Sequence, residues 1–335
     1  MTRPEDSRSI RILNAEPLGY SPEARSLLVQ WGDLVEKEVS RPTLLSELGN
    51  YDVLIVRLAH QIDREIIKAG RRIRVIVTAT TGLDHIDVEY AQSQGIAILS
   101  LRGEAELLRN INATAEHNWA LLLALLRRIV PASVDVQRGE WNRDAFRGHE
   151  LHGRRMGIVG MGRLGQKVAR YGHAFGMELG AYDPSVQERM NGVWYAPALA
   201  ELLRWSDVLS LHVPLNDTTN GMIGPAELAL LPPGAVLVNT SRGELLDETA
   251  VVEVLNSGHL AGAALDVIAH ERNADRRRNS PLLDYALKHD NLLITPHIGG
   301  ATHESLARTE IFMAEKLGKF LVSRGLLTPT PQAHA

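Results

Sequence analysis

Short runs of β-forming residues alternate with helical patterns along nearly the whole chain, and this alternation leaves few folds open. Parallel strands cannot be joined by tight hairpins, so repeated strand–helix–strand order marks parallel sheets covered by helices. Ser9 to Ala15, Val53 to Arg57, Val75 to Thr78 and Ala97 to Leu99 read as strands of a first, smaller unit. Between them, Pro22 to Trp31 and Arg64 to Ala69 read as helices, the second capped by Asp63. A second series begins at Met156 and runs through GIVG, ELGAYD, VLSLHV, AVLVNTS, GAALDV and NLLITP, which predicts six short strands. The helical pattern Glu304 to Val322 follows once that series is complete and is expected to return to the first unit. The pattern therefore predicts an α/β protein of two Rossmann-like or flavodoxin-like parallel-sheet domains with a cleft between them. The expected boundaries are 1–106 plus 301–335 for a discontinuous domain and 107–300 for a continuous one.

Between the two series lies Ala113 to Val130, the longest apolar helical pattern, expected to stop at Pro131. Its apolar residues occupy nearly every face, so burial between domains or subunits is expected. With 335 residues there is chain enough for two cores. No segment approaches the roughly 18 uninterrupted apolar residues of a membrane span. The absence of cysteine excludes disulfides, thiolate metal sites and a cysteine nucleophile. A net charge of −4 provides no global basic field to hold a phosphate backbone, so nucleic acid is not an expected partner. The opening residues carry no apolar leader core, which makes the cytoplasm the default location. The segment after Leu327 reads as a frayed tail.

Gly160-Met161-Gly162-Arg163-Leu164-Gly165 follows the strand-like MGIV and opens a helix. Glycines at this spacing permit a tight turn, close approach of a pyrophosphate to the backbone, and close packing of helix on strand, while the helix N-terminus offers amide donors and a positive dipole end. Glycine turns alone join strands to helices in many proteins. Here the next strand ends at Asp183, 18 residues past Gly165, close to the ~20 expected for an acid that accepts from an adenosine ribose. A carboxylate there opposes a 2′-phosphate, so NAD is favoured over NADP.

Further on come Asn239-Thr240-Ser241-Arg242-Gly243, then Ala264-Leu265-Asp266-Val267 with Glu271, then Thr295-Pro296-His297-Ile298-Gly299-Gly300. In this order they resemble the D-isomer-specific 2-hydroxyacid dehydrogenase family, as do TTGLDHID at Thr80, AEH at Ala115, GEW at Gly139 and HVPLNDTT at His212. The resemblance implies that Arg242 binds a substrate carboxylate and carbonyl oxygen, that His297 exchanges the hydroxyl proton, and that Glu271 holds and tunes His297. It implies cofactor contacts from Gly160, Gly162, Arg163, Leu164, Gly165, Asp183, His212, Val213, Pro214, Thr219, Thr240 and Asp266. Thr81 and Gly82 resemble a loop that touches the substrate carboxylate, and Arg57 matches a position near the substrate in some relatives. The family also implies a homodimer, formed through the long helix and the arm after it.

The chemistry agrees with these roles. Hydride transfer to a 2-keto acid needs a fixed cation, an acid for the developing alkoxide, and a group to orient that acid. Arginine offers a planar fork that matches a carboxylate and stays charged. Histidine titrates near working pH, and a neighbouring carboxylate favours the form able to donate. Taken singly, Arg242, Glu271 and His297 each have an ordinary structural explanation. Together they follow strands at the carboxyl edge, where open α/β sheets bind ligands. No HExxH or comparable set marks a metal site.

Two segments depart from the family pattern. EAELLRNINAT lengthens the chain between Gly103 and Ala115-Glu116, and Arg272 with Arg276-Arg277-Arg278 stands where proline usually follows Glu271. Both read as solvated loops or as a remodelled pocket mouth. An NAD-sensing binding protein or corepressor on the same fold, or a formate- or phosphite-type dehydrogenase, remains an alternative, since fold alone does not decide activity.

Overall fold

The computed structural model describes residues 9–186 and 188–327. The sequence expectations about a leader and a frayed tail fall on the two ends, outside the described residues. The chain divides into two compact units, one taking residues up to Asn110 and from His303 onward, the other Ile111–Thr302.

The first unit holds a parallel sheet of β1 (Arg11–Asn14), β2 (Asp33–Glu36), β3 (Val53–Val56), β4 (Val75–Thr78) and β5 (Ala97–Leu99), in the order β2-β1-β3-β4-β5. Every residue of β3 and β4 is buried, as expected when helices cover both faces of a parallel sheet. Ser21 caps the helix Pro22–Trp31, accepting from Ala24 N–H at 3.3 Å, and Asp63 caps Arg64–Ala69 through the Glu65 and Ile66 amides. The last helix, His303–Ser323, packs on Pro22–Trp31. Contact there is close enough that a Cβ on Gly318 would stand 2.4 Å from Trp31 Cε2.

The second unit holds β6 (Arg155–Val159), β7 (Glu178–Tyr182), β8 (Val193–Tyr195), β9 (Val208–Leu211), β10 (Ala235–Asn239), β11 (Leu260–Leu265) and β12 (Leu292–Ile294). All pairings are parallel, in the order β12-β11-β10-β9-β6-β7-β8. The connections reverse direction at β6, which pairs with β7 on one side and β9 on the other, so a topological switch point lies between β6 and β9.

Several expectations are corrected. The second sheet has seven strands rather than six, β8 being the addition, and β2 is a strand the sequence pattern does not single out. Both are short edge strands with no fully buried residue, three and four residues long, so their β-forming residues make too short a run to stand out. The apolar helix does not run to Pro131. It ends at Leu126, Arg128 takes a left-handed φ of 52°, and a second helix, Ile129–Gln137, carries Pro131 in its first turn, where a missing N–H costs no hydrogen bond. Nor does Ala113–Leu126 need a second subunit for burial. Trp119, Leu121, Leu122 and Leu125 pack into its own unit's core, with Trp119 against Phe175 at 4.8 Å between ring centroids. The two departing segments contain short helices, Ala105–Arg109 and Ala274–Arg278. No helix among the described residues is long and apolar enough to cross a membrane.

Candidate active site

At the switch point, Gly160 leaves β6 with a φ of 91°, a conformation that favours glycine, and its N–H donates to Tyr182 O (2.9 Å). A Cβ there would lie 2.6 Å from His212 O and 2.8 Å from Val213 Cγ1, so the residues after β9 form the wall of the turn. Gly165 lets the following helix press onto the turn, since its Cβ would stand 2.0 Å from Gly160 O. Gly162 is the N-cap of Arg163–Ala174 and has no side-chain cap; a Cβ on it would meet nothing within 4 Å. No capping side chain therefore takes the first amides of the helix. The Arg163 guanidinium turns aside to donate to Ile111 O (3.1 Å).

Asp183 accepts from Met161 N–H through Oδ2 and from Ser185 N–H through Oδ1, each at 2.8 Å, so it braces the glycine turn as well as ending β7. His212 Nε2 lies 2.8 Å from Ser210 Oγ, which donates to Asn118 Oδ1 (3.0 Å). Burial pushes the His212 imidazole down to about 4, so it stays neutral beside the turn. Thr219 closes the loop after Pro214, donating to Pro214 O (2.7 Å) and accepting from Asn216 N–H (2.9 Å). Thr240 Oγ1 is buried just past β10 with no hydrogen-bond partner. A helix N-terminus without a side-chain cap, a turn that approaches only as glycine, an acid after the second strand and an orphaned buried hydroxyl at the same sheet edge fit a bound dinucleotide.

Arg242 follows β10. Asn239 brackets its turn, Nδ2 donating to Arg242 O (2.8 Å) and Oδ1 accepting from Ser241 N–H (3.0 Å), while Ser241 Oγ ties the turn to Leu211 O at 2.7 Å. Gly243 allows the chain to cross the exit of β11, where a Cβ would overlap Ile268 C at 2.0 Å. The Arg242 guanidinium is half-buried and its Nη1 donates to Ser241 O (2.6 Å). Glu244 Oε1 accepts from His270 N–H (3.0 Å) and Glu248 Oε1 from Ala269 N–H (2.6 Å), so the segment carrying Glu271 is pinned to the one carrying Arg242. Arg277 Nη1 donates to Glu271 O (2.6 Å).

Glu271 Oε1 bonds His297 Nδ1, both side chains being about one-fifth exposed. His297 has a φ of 55°, a left-handed backbone that costs a histidine energy and needs support. Asp266 supplies the support. Its carbonyl accepts His297 N–H (2.8 Å), Oδ1 accepts from Ile298 N–H (2.8 Å) and Thr295 Oγ (2.7 Å), and Oδ2 accepts from Gly299 N–H (2.7 Å). His117 Nε2 joins at 3.2 Å from Asp266 Oδ1 and 2.9 Å from Thr295 Oγ1. Burial works against the ionised form of Asp266, but the donations from His117, Thr295 and the two amides outweigh it and hold the carboxyl below its ordinary value.

The second unit thus brings together Arg242, Glu271 and His297 at one sheet edge, with the glycine turn and Asp183 at the switch point. Arg57, Thr81 and Gly82 belong to the first unit, after β3 and β4, where Thr80 Oγ1 shapes the loop by donating to Gly82 O (2.8 Å). His117, Glu244 and Glu248 are supports that the sequence reading does not assign. The AEH motif marks the first; nothing local marks the others. Among the described residues no cluster of three or more His, Cys, Asp or Glu could hold a metal ion.

Comparison with known proteins agrees with this geometry. The model of the D-isomer specific 2-hydroxyacid dehydrogenase, NAD binding domain, matches residues 119–299. The chain is 37% identical over 301 residues to a hydroxypyruvate reductase of Thermotoga maritima, covering 89% of this chain and 95% of that protein. It is 35% identical over 316 residues to a D-3-phosphoglycerate dehydrogenase of Methanocaldococcus jannaschii, covering 93% of this chain but spanning only 57% of that relative's length. A D-lactate dehydrogenase from Aquifex aeolicus, solved in complex with NAD and lactic acid, matches with a TM-score of 0.81 at 29% identity, covering 93% of this chain and 96% of that one. The chain belongs to the D-isomer specific 2-hydroxyacid dehydrogenase family of NAD-dependent oxidoreductases, and NAD is its cofactor.

Proposed function

We propose that the chain interconverts a D-2-hydroxy acid and its 2-keto acid, working as a homodimer. Bound NADH supplies the hydride for reduction, and NAD accepts it in the reverse direction. Arg242 holds the keto acid through its carboxylate and carbonyl oxygen, fixing the reacting carbon and opposing the charge that develops on oxygen. His297, its Nδ1 engaged by Glu271, donates a proton from Nε2 to the nascent alkoxide and takes it back in oxidation. Glu271 selects that tautomer and stabilises the imidazolium. Asp183 accepts from the adenosine ribose; Gly160, Gly162, Arg163, Leu164 and Gly165 lie along the pyrophosphate; His212, Val213, Pro214, Thr219 and Thr240 line the rest of the cofactor. Arg57, Thr81 and Gly82 act on the substrate from the first unit.

The observation that carries this reading is the bond between His297 Nδ1 and Glu271 Oε1 at the sheet edge that also bears Arg242. The test is NADH consumption against glyoxylate, pyruvate and hydroxypyruvate, with the product's configuration assigned by chiral chromatography. Turnover to the D-isomer is expected. Arg242→Ala should lower kcat/KM by about a thousandfold, through lost positioning and charge stabilisation, and change NADH affinity only a few-fold. Tight NADH binding with no consumption of any keto acid would instead identify a cofactor-binding protein.

A further inference from the structure

The first unit has its own topological switch point. In the order β2-β1-β3-β4-β5, connections leave β1 in opposite directions, so a ligand crevice is expected outside the carboxyl ends of β1 and β3. Glu16 and Arg57 emerge there, and both are already engaged by carboxylate chemistry.

Three successive amides after β3 form a concavity of the kind that captures anions. Glu16 fills it: Oε1 accepts from Arg57 N–H (2.9 Å) and Oε2 from the Leu58 and Ala59 amides (3.2 Å each). The Arg57 guanidinium donates through Nη2 to Leu18 O (2.8 Å), and its Nη1 lies 3.5 Å from Glu310 Oε1. Glu310, on the last helix, is fully buried; its Oε2 accepts from Ser21 N–H (2.7 Å), while Oε1 has no hydrogen bond. Burial holds the Glu310 carboxyl above its ordinary value, an effect that the Ser21 amide, Arg57 and Arg25 offset only in part. The Arg57 guanidinium is therefore paired with the buried Glu310 carboxyl, while Glu16 takes the backbone amides that would otherwise welcome an anion.

We propose that Glu16 and Glu310 make the crevice at Arg57 a specificity determinant that rejects a second anionic group, so that the substrates are short 2-keto acids whose far end is uncharged. The inference rests on the reading of this chain as a keto-acid reductase with Arg57 on the substrate. Discrimination comes from a built-in repulsion: a phosphate or second carboxylate would have to displace Glu310 from Arg57 or approach both acids.

Hydroxypyruvate and 3-phosphohydroxypyruvate test this, because they share a carbon skeleton and differ only in the phosphate. Wild type should turn over the unphosphorylated acid with the higher kcat/KM. Glu310→Gln keeps an acceptor for Ser21 N–H and removes the charge, so the ratio of phosphorylated to unphosphorylated kcat/KM should rise about tenfold or more, the expected worth of a removed like-charge contact. Arg57→Met should move the ratio the other way. A purely structural Glu310 would lower the melting temperature and leave the ratio alone; if Glu310→Gln fails to fold, Glu16→Gln should raise the ratio in its place. A wild type that prefers the phosphorylated acid, or a ratio unmoved in the folded variants, overturns the inference and leaves the reductase reading intact. Absence of turnover on every keto acid overturns the reductase reading and the inference together.

Discussion

His297 shows how a single residue can be placed by another that does no chemistry. Its left-handed backbone costs on the order of 1–3 kcal/mol and persists only where the surroundings over-determine it. Asp266 does this by taking His297 N–H on its carbonyl and the next two amides on its carboxylate. The family resemblance implies a cofactor contact from Asp266, whose oxygens also take groups of the His297 loop and His117. Asp266→Asn should therefore damage catalysis more than cofactor binding, because an amide offers one acceptor oxygen where two are used and turns a donor toward a backbone N–H. The expected outcome is a fall in kcat of about 10- to 1000-fold, on the scale of one to three displaced hydrogen bonds, with NADH affinity changed only a few-fold. Steady-state kinetics and fluorescence titration separate the two. A variant that loses NADH affinity and keeps kcat would show that Asp266 serves the cofactor rather than the His297 loop.

At the scale of elements, the glycine turn and the strand ending in Asp183 form one device. Asp183 accepts Met161 N–H within the turn, so the acid proposed to discriminate against a 2′-phosphate also braces the glycine turn. Asp183→Ser should weaken NADH kcat/KM by about 10- to 100-fold, consistent with 1–3 kcal/mol for an unsatisfied buried donor, and should narrow the preference over NADPH without creating a good NADPH enzyme. Unchanged NADH kinetics in that variant would show that the brace carries no weight. This device is legible in the sequence because its chemistry is local: three glycines at fixed spacing, a helix directly after, and an acid one strand later. Arg242, Glu271 and His297 are legible as a group for a similar reason, each following a strand at the carboxyl edge. The supports are not legible, since Glu16 meets amides 41 to 43 residues away and Glu310 meets Ser21 across 289 residues. The edge strands β2 and β8 escape the sequence pattern because they are only four and three residues long, too short for a run to show. The interruption at Arg128 escapes it because proline in a first helical turn looks, in sequence, like proline that ends a helix.

The whole molecule alternates between two sheets, the chain leaving the first unit at Asn110 and re-entering it at His303. Each unit buries its own central strands, and the second also buries Trp119, so neither the long apolar helix nor that indole argues for association. The argument lies in the helix after it. Ile129–Gln137 buries no residue in the described chain, and Ile129, Val130, Val134 and Val136 are 53, 47, 37 and 50% exposed, with Trp141 beyond them at 85%. Water-facing aliphatic and aromatic surface of this kind is stabilised by transfer into an interface at roughly 25 cal/mol per Å². A second copy of the chain offers the same surface, and a twofold contact is self-complementary. Light scattering at micromolar concentration should therefore return twice the mass of one chain. Val134→Glu combined with Trp141→Glu should shift the population toward the single chain, because two carboxylates per copy would have to be desolvated in the interface. The far-ultraviolet circular dichroism of each unit's buried sheet should be retained, since none of those side chains enters a core. A wild-type mass of one chain, or a double variant that remains at twice that mass, would place the dimer contact elsewhere or remove it.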